Sequence, residues 1–279
     1  MNQQVLAAQG LHKSFGMGSH EPPVVAAENV SFVLAAGQSL GLVGESGSGK
    51  TTVARMLVGL ERPDAGTMTI QGQDLSGKPR GRRERLARAR AVQMVFQDPY
   101  GSLDRRLTVE QCLRQAMALH GLGTSAEFPG RVKGLLEQVG LSSGHAASKP
   151  HQLSGGQRQR VAIARALAVE PAVLVLDEAV SALDVSVQAQ ILDLLNQIRQ
   201  DSGIALLFVS HDLAVVRRVT DDVLVMYRGS VLEEGPTQAV LDRPQHAYTQ
   251  LLVSSVPGPG WDPHTVIERR RVFEAASQG

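Results

Sequence analysis

The hydrophobic pattern of the chain alternates between short apolar runs and amphipathic stretches. Apolar runs of strand length occur in "QSLGLVG", "AVLVLDE" and "IALLFVSHD". Stretches such as "VARMLVGL" and "VQAQILDLLNQIRQDSG" instead have apolar residues three and four positions apart, which is typical of amphipathic helices. Because strands alternate with helices, the pattern predicts an α/β fold with a parallel sheet and short crossovers.

Other patterns predict elements outside this alternation. The segments "VVAAENVSFVLAAG" and "GTMTIQG" are typical of strands, and "DDVLVMYRGSVLEEG" predicts a hairpin that turns at Arg228-Gly229. Between Asp98 and Gln152, "TVEQCLRQAMALHGL" and "FPGRVKGLLEQVGL" predict amphipathic helices, which indicates a helical subdomain inserted into the core. The tail from Pro236 shows two short helical patterns and then a predicted loop, "VPGPGWDPHT".

Composition and charge exclude several classes of protein. The 279 residues are 43% hydrophobic and carry a net charge of +1, so no global attraction to nucleic acid or acidic lipid is expected. The single cysteine, Cys112, excludes an internal disulfide and a Cys-only metal site. The N-terminus has no signal-peptide pattern, and no apolar run is long enough to span a membrane. Any membrane role is therefore expected to go through a partner.

A basic run extends from Lys78 to Arg90. It is either a solvated helix face or a patch that binds nucleic acid. The run contains no aromatic residue that would stack on a base, and the whole chain is nearly neutral. Both features favour the solvated face.

The segment "GESGSGKT" fits the pattern G-x-x-x-x-G-K-[ST] and lies between a predicted strand and a predicted helix. In such a loop, backbone N–H groups surround a phosphate and the helix N-terminus adds its dipole. The lysine reaches the terminal phosphates, and the hydroxyl that follows is a Mg²⁺ ligand. The alternative is a surface loop rich in glycine and serine. The predicted phosphate-binding residues are Gly44, Glu45, Ser46, Gly47, Ser48, Gly49, Lys50, Thr51 and Thr52.

Two acidic residues, Asp177 and Glu178, end the apolar run "AVLVLDE". Ligands bind at the carboxyl edge of an open parallel sheet, so both side chains are expected near the phosphate loop. Asp177 is placed to hold Mg²⁺ and Glu178 to orient or deprotonate an attacking water. The alternative is an acidic cap on the following helix.

A second glycine-containing anion cradle occurs in "LSGGQRQR", about a hundred residues after the first. Two such cradles in one chain would suit two nucleotides, but shared sites between two chains are the more economical alternative. In that arrangement two copies of the chain form two sites, and each copy contributes half of each site. The first cradle of one copy would hold the nucleotide, and the second cradle of the other copy would close over its γ-phosphate. The residues assigned to this closing role are Ser154, Gly155, Gly156 and Gln157.

These motifs together resemble those of the nucleotide-binding subunit of an ABC transporter, over roughly residues 4 to 256. "LSGGQ" resembles the signature motif of that family, and "GESGSGKT" and "VLVLDE" resemble its two Walker motifs. The resemblance implies a Q-loop glutamine at Gln97, a D-loop at "SALD" and a switch histidine at His211. It also implies that Phe15 stacks on adenine. The sequence Ala179-Val180 departs from the Pro-Thr that often follows the two acids.

The resemblance implies a P-loop NTPase (RecA-like) core with a parallel sheet, an antiparallel β-subdomain and an inserted helical subdomain. Residues 1–97 and 153–235 would form the nucleotide-binding core, 98–152 the helical subdomain and 236–279 the C-terminal tail. The implied cofactors are ATP and Mg²⁺, with the metal held by Thr51, Gln97 and Asp177. The implied catalytic residues are Glu178, His211, Lys50 and Gln97.

The tail segment "HAYTQLL" resembles the end of the subfamily that imports dipeptides, oligopeptides and nickel. The resemblance implies a peripheral subunit on the cytoplasmic face of the inner membrane, without nucleic acid as a partner. The implied partners are a second ATP-binding subunit, two permease subunits and an extracytoplasmic solute-binding protein. A tail that ends soon after this segment suits the shorter of two unlike ATPases, which predicts a heterodimer.

Short peptides are the expected solute, and nickel or a metal chelate is the alternative. Three other functions compete with import. A soluble ABC ATPase of repair or translation usually has two cassettes or a long coiled-coil insertion, and a P-loop kinase would not need "LSGGQ" or "SALD". A purely regulatory nucleotide-binding subunit commonly lacks a base at the position of Glu178.

Overall fold

The computed structural model describes residues 3–16, 23–256, 261 and 263–276. Part of the predicted loop "VPGPGWDPHT" therefore lies outside the described residues. The strands are β1 (Gln4–Phe15), β2 (Val24–Ala35), β3 (Ser39–Val43), β4 (Ala65–Ile70), β5 (Gln73–Asp74), β6 (Val92–Val95), β7 (Val173–Asp177), β8 (Ala205–Ser210), β9 (Asp222–Tyr227) and β10 (Ser230–Pro236).

The α-helices of the described residues lie between the strands and after the last strand. They are α1 (Lys50–Leu57), α2 (Arg82–Ala91), α3 (Pro99–Ser102), α4 (Val109–Leu119), α5 (Phe128–Gln138), α6 (Gly155–Leu167), α7 (Val185–Ser202), α8 (Leu213–Val219), α9 (Thr237–Asp242), α10 (Ala247–Ser254) and α11 (Pro263–Ala276). Two short 3₁₀ helices, Ser143–Ala147 and Pro150–Gln152, precede α6. None of the helices in the described ranges combines the length and the apolar character that a membrane crossing requires.

The larger sheet has six strands in the order β10–β9–β3–β8–β7–β6. The strands from β9 to β6 pair in parallel, and β10 pairs antiparallel to β9. Every residue of β3, β7 and β8 is buried, as expected for parallel strands covered on both faces. The predicted hairpin turns at Arg228 and Gly229, where both φ angles are positive as a type I′ turn requires. The α/β prediction is confirmed.

The smaller sheet is antiparallel and has the order β2–β1–β4–β5. Its inner face packs against the larger sheet, since Leu6 and Phe32 share one hydrophobic cluster with Leu42 and Val175. Ala26 of β2 lies against Gly49, and this contact matters for the site described below. The predicted antiparallel β-subdomain is confirmed.

Helices α3 to α5 are inserted between β6 and α6, and both amphipathic helices predicted there are present. Helix α4 begins with a capping box in which Thr108 and Gln111 satisfy one another's backbone N–H groups. Leu113 and Leu136 of this insertion share a continuous core with Val161 and Ile191. The basic run forms α2, which has no buried residue.

The C-terminal tail differs from its prediction. Helices α9 and α10 match the two predicted helical patterns, but α11 begins at Pro263, inside the segment predicted as a loop. Proline suits the first position of a helix because its fixed φ is helical and its missing N–H is not needed there. The buried Phe273, which packs on Tyr227 and Tyr248, anchors this helix. The helix begins within a segment whose proline and glycine residues are typical of a loop, which is why the sequence pattern did not indicate it.

Candidate active site

The site forms where three neighbouring strands of the larger sheet end. Val43, the last residue of β3, pairs with Ser210, the last residue of β8. Asp177, the last residue of β7, pairs with Val209. The residues that follow these strands, Gly44, His211 and Glu178, therefore emerge at one edge of the sheet, as predicted.

Lys50 is the first residue of α1 and is only 5% exposed. Its ammonium donates hydrogen bonds to the carbonyl oxygens of Gly44 and Glu45, both at 2.8 Å, and to Ser48 Oγ at 3.2 Å. Burial lowers the pKa of Lys50, and the charges of Glu178, Asp177 and Glu45 act in the opposite direction. The loop thus encloses a cation whose only hydrogen-bond partners in the described chain are neutral oxygens.

Gly49 has a left-handed backbone, with φ +103°, and caps the N-terminus of α1. A Cβ atom at this position would overlap the carbonyl oxygen of Ala26 in β2. The N–H of Gly229 also donates to Ser48 O at 2.9 Å, so the β9–β10 turn supports the other side of the loop. Contacts from β2 and from the β9–β10 turn therefore support the shape of the loop.

The Thr51 hydroxyl and the Asp177 carboxylate meet next to the loop. Thr51 Oγ1 donates to Asp177 Oδ1 at 3.3 Å, and Asp177 is 9% exposed. Burial raises the pKa of Asp177, and the hydrogen bond from Thr51 partly offsets this effect. A buried carboxylate beside a hydroxyl is a donor set that Mg²⁺ prefers, so the residues present fit the predicted metal.

Glu178 connects three of the predicted motifs. Its Oε1 atom lies 3.0 Å from His211 Nδ1, and its backbone carbonyl accepts from Ser181 Oγ at 2.9 Å. Ser181 Oγ in turn accepts from Gln97 Nε2 at 3.4 Å. Glu178 itself has φ +47°, an uncommon conformation for a residue with a side chain. Gln97, "SALD", Glu178 and His211 are therefore brought together as predicted.

The "LSGGQ" segment lies at the start of α6. The hydroxyl of Ser154 accepts from the Gln157 N–H at 3.2 Å, while Gln157 Oε1 accepts from the Ser154 N–H at 2.9 Å, which forms a capping box. A Cβ atom on Gly156 would lie 2.5 Å from Val187 of α7, so this close approach requires glycine. The hydrogen bonds of the Ser154 side chain are made within its own helix turn.

Phe15 ends β1, pairs with Val24 of β2 and is 38% exposed. The ammonium of Lys13 lies 5.3 Å from the centre of its ring. Its partner Val24 lies two residues before Ala26, the β2 residue that contacts Gly49. Thr52 lies one residue after Thr51 in α1 and is half-buried.

The family assignment rests on a match between residues 27–181 and the family described as "ABC transporter", which covers more than half of the chain. The chain belongs to the ABC transporter family. Residues 232–277 of this ABC cassette match a second family, described as "Oligopeptide/dipeptide transporter, C-terminal region". That match covers α9, α10 and α11.

Curated relatives of this cassette include the glutathione import ATP-binding protein GsiA of Salmonella paratyphi A, which is 50% identical over 234 residues. The GsiA protein of Escherichia coli strain K12 is 49% identical over the same length. Each alignment covers 84% of this cassette but 37% of the relative. The cassette therefore spans little more than a third of the length of these relatives.

Solved structures confirm the ABC fold. The cbiO1 protein of Clostridium perfringens, part of the ABC transporter complex cbiONQ, superimposes with a TM-score of 0.75 at 25% identity, over 86% of this cassette and 92% of that chain. The ATP-binding cassette MJ0796, in a dimeric post-hydrolysis state bound to ADP and Pi, gives a TM-score of 0.72 at 29% identity. That alignment covers 83% of this cassette and 98% of that chain.

Two side chains at this site were not identified from the sequence. His145 Nε2 lies 3.2 Å from Gln157 Nε2. Because the amide oxygen of Gln157 is already used by Ser154, the amide nitrogen donates to His145, whose proton is then on Nδ1 facing Ser142. Tyr248 of α10 accepts a hydrogen bond from the Glu45 N–H at 3.0 Å. No local pattern marks His145. The tail segment "HAYTQLL" includes Tyr248 but gives it no role at this site, because its contact is with a distant segment.

The raised pKa of Asp177 predicts a cost in stability. The folded state binds the Asp177 proton more tightly than the unfolded state, so this group's contribution to stability falls as pH rises from the unfolded pKa through the folded one. Asp177→Asn should therefore raise the thermal unfolding midpoint of the nucleotide-free cassette by a few degrees at neutral pH. The gain should shrink as the pH falls toward about 4, because the unfolded state then also begins to hold the proton.

The measurement is thermal unfolding by circular dichroism at both pH values. Asp201→Asn is the matched control, because Asp201 is exposed and an asparagine keeps the acceptor for its hydrogen bond from Gln197. A lower unfolding midpoint for Asp177→Asn at neutral pH would show that the ionised carboxylate stabilises the fold instead.

Proposed function

We propose that this chain is the ATP-binding and ATP-hydrolysing subunit of an ABC importer for short peptides. The observation that carries the proposal is the convergence of Lys50, Asp177, Glu178 and His211 at one edge of the parallel sheet, around a loop shaped for phosphate. The match of the tail to an oligopeptide/dipeptide transporter region and the similarity to glutathione import proteins support the importer assignment.

The loop Gly44–Thr51 binds the phosphates of ATP in this proposal. Lys50 exchanges its carbonyl partners for β- and γ-phosphate oxygens, which are better partners for a buried ammonium because they are anionic. Thr51 and Asp177, together with Gln97, would hold Mg²⁺, which supplies positive charge that neutralises the phosphates. Phe15 provides an exposed ring for adenine to stack on.

Glu178 acts as the general base that takes a proton from the attacking water. Its hydrogen bond with His211 fixes the direction of the carboxylate, and its contacts with Ser181 connect it to Gln97. His211 is free to leave Glu178 for the γ-phosphate once nucleotide is present. The strained backbone of Glu178 is consistent with a residue whose position serves catalysis.

The second cradle completes the site of a partner subunit. The N–H groups of Gly155 and Gly156 lie in the first turn of α6, where helix N–H groups have no partner within the helix. Together with the Ser154 hydroxyl and the dipole of α6, they form an anion site that would close over the γ-phosphate bound by another subunit. Hydrolysis then requires two cassettes.

The remaining assignments follow from the importer proposal. The cassette would sit on the cytoplasmic face of the inner membrane, bound to two permease subunits and paired with an unlike second ATPase. An extracytoplasmic binding protein would deliver the peptide. Residues 1–97 and 153–235 would form the nucleotide-binding core, 98–152 the helical subdomain and 236–279 the tail.

Glu178→Gln should keep ATP affinity and reduce turnover by about a hundredfold or more, because the amide preserves size but cannot accept a proton. ATP affinity is measured by calorimetry and turnover by phosphate release, with Glu234→Gln on the exposed surface of β10 as the control. Parent-level hydrolysis by Glu178→Gln would assign the base to another residue.

Lys50→Ala should instead abolish tight binding of ATP.

Gly155→Asp should leave ATP affinity of the isolated cassette near normal and abolish turnover in the assembled complex. The carboxylate would repel the γ-phosphate of the partner site. A side chain fits here, since a Cβ atom on Gly155 would be at an ordinary 3.7 Å from Leu183. Gly155→Asn has the same size without the charge and should lose less activity. Weakened affinity in the isolated Gly155→Asp cassette would contradict the shared site.

The solute is tested with the complete transporter in liposomes, with its binding protein present. Short peptides should stimulate ATP hydrolysis several-fold, because a loaded binding protein favours the closed pair of cassettes. Nickel and metal chelates are assayed in parallel. Stimulation by nickel alone, or only by sugars or lipids, would overturn the peptide assignment and leave the ATPase assignment intact.

A further inference from the structure

The C-terminal tail contacts the phosphate-binding loop directly. Tyr248 of α10 is 1% exposed, and its hydroxyl accepts the hydrogen bond from the Glu45 N–H at 3.0 Å. Arg270 of α11 places Nη2 3.0 Å from Glu45 Oε1. One loop residue, Glu45, therefore receives two contacts from helices more than 200 residues further along the chain.

The Tyr248 contact acts on the peptide group that holds Lys50. The N–H of Glu45 and the carbonyl of Gly44 belong to one planar peptide group. Tyr248 accepts from the N–H side of this group, while the Lys50 ammonium donates to the carbonyl side at 2.8 Å. This peptide group rotates as a unit. Loss of the tyrosine hydroxyl would therefore also leave the Gly44 carbonyl oxygen, which accepts from Lys50, less firmly positioned.

The tail is itself anchored on the strands that carry the loop. The rings of Tyr248 and Phe273 pack against Tyr227, the last residue of β9, with centroid distances of 4.6 and 4.9 Å to the Tyr227 ring. Val43, the residue before the loop, belongs to the same hydrophobic cluster. Arg269 of α11 also donates to the Gln250 carbonyl of α10 at 2.9 Å, which joins the two helices. Burial raises the pKa of Tyr248 to about 12, so its hydroxyl stays neutral at physiological pH.

The Arg270 contact acts through charge. Glu45 lies in a loop that must bind a polyanion, and its carboxylate is half-exposed. An uncompensated carboxylate there would repel phosphate, whereas a guanidinium at 3.0 Å reduces that repulsion. Both partners are partly in solvent, so this effect is smaller than that of the buried tyrosine and is screened by salt.

We propose that Tyr248 and Arg270 are positioning residues for the phosphate-binding loop, so that the docked tail sets the affinity of the cassette for nucleotide. This inference rests on the proposed function, since it requires that the loop binds ATP. It gives the C-terminal region a role inside the cassette, in addition to any role in the choice of solute. Neither residue contacts ATP in this arrangement; both act through Glu45.

The Tyr248 experiment compares Tyr248→Phe with Tyr227→Phe in the full-length chain. Both variants remove one hydroxyl from the same aromatic cluster, but in the described chain only the Tyr248 hydroxyl is hydrogen-bonded to the loop. A fluorescent ATP analogue with Mg²⁺ gives the dissociation constant at a temperature where all variants are folded. Tyr248→Phe should raise this dissociation constant about tenfold, because the Glu45 N–H is left without its partner. Tyr227→Phe should leave the dissociation constant unchanged.

Amide hydrogen exchange separates positioning from general destabilisation. Tyr248→Phe should increase exchange in the loop Gly44–Thr51 more than in α10 or β9. An equal increase throughout the tail and β9, with ATP affinity unchanged, would assign Tyr248 to fold stability and overturn the inference.

The Arg270 experiment uses charge-neutral substitutions. Arg270→Gln should raise the dissociation constant about threefold at low salt, and the effect should shrink at high salt. In a Glu45→Gln background, Arg270→Gln should have no further effect, because the charge it neutralises is gone. The same threefold effect in both backgrounds would show that Arg270 does not act through Glu45.

Lys50→Ala distinguishes failure of this inference from failure of the proposed function. If Lys50→Ala abolishes ATP binding while Tyr248→Phe and Arg270→Gln change nothing, the tail does not position the loop and the ATPase assignment stands. If the parent chain binds no ATP, or Lys50→Ala binds it normally, the proposed function fails and this inference fails with it.

Discussion

The parallel pairing of β3, β8 and β7 is the constraint on which the site depends. Each of these strands is completely buried, so its hydrogen bonds and its side chains fix its register firmly. The registers bring Val43, Ser210 and Asp177 to one edge. The loop that begins at Gly44, together with Glu178 and His211, follows directly. A core that buries apolar side chains therefore also sets the distances between the proposed catalytic groups.

Buried charge at this edge is held without full compensation. Lys50 is bound by neutral carbonyl oxygens, and burial raises the pKa of Asp177. Both groups would gain better partners if the phosphates and the metal arrived, because opposite charges in a partly buried site interact more strongly than in water. If the proposed function is correct, bound nucleotide and Mg²⁺ would therefore stabilise the cassette. Support from Ala26, Gly229 and Tyr248 around the loop maintains its shape.

Much of the fold and of the site was predictable from local patterns. The strands before Gly44, Glu178 and His211 and the hairpin at Arg228-Gly229 follow from apolar runs and turn residues, which act over a few positions. The start of helix α11 was missed because it lies within "VPGPGWDPHT", whose proline and glycine residues are typical of a loop. The roles of Gln97 and "SALD" were assigned only through the resemblance to a known family, since neither spacing nor composition indicates them. The hydrogen bonds from Gln97 through Ser181 to Glu178 were not predicted.

The sequence by itself determined the element types, the phosphate loop, the paired acids and the second cradle, because each depends on neighbouring residues. Only the tertiary structure decided that His145 orients Gln157, that Ala26 excludes a side chain at Gly49, and that Tyr248 and Arg270 meet Glu45. These contacts join segments separated by 12 to more than 200 residues. Their existence depends on how strands and helices pack, and no local pattern carries that information.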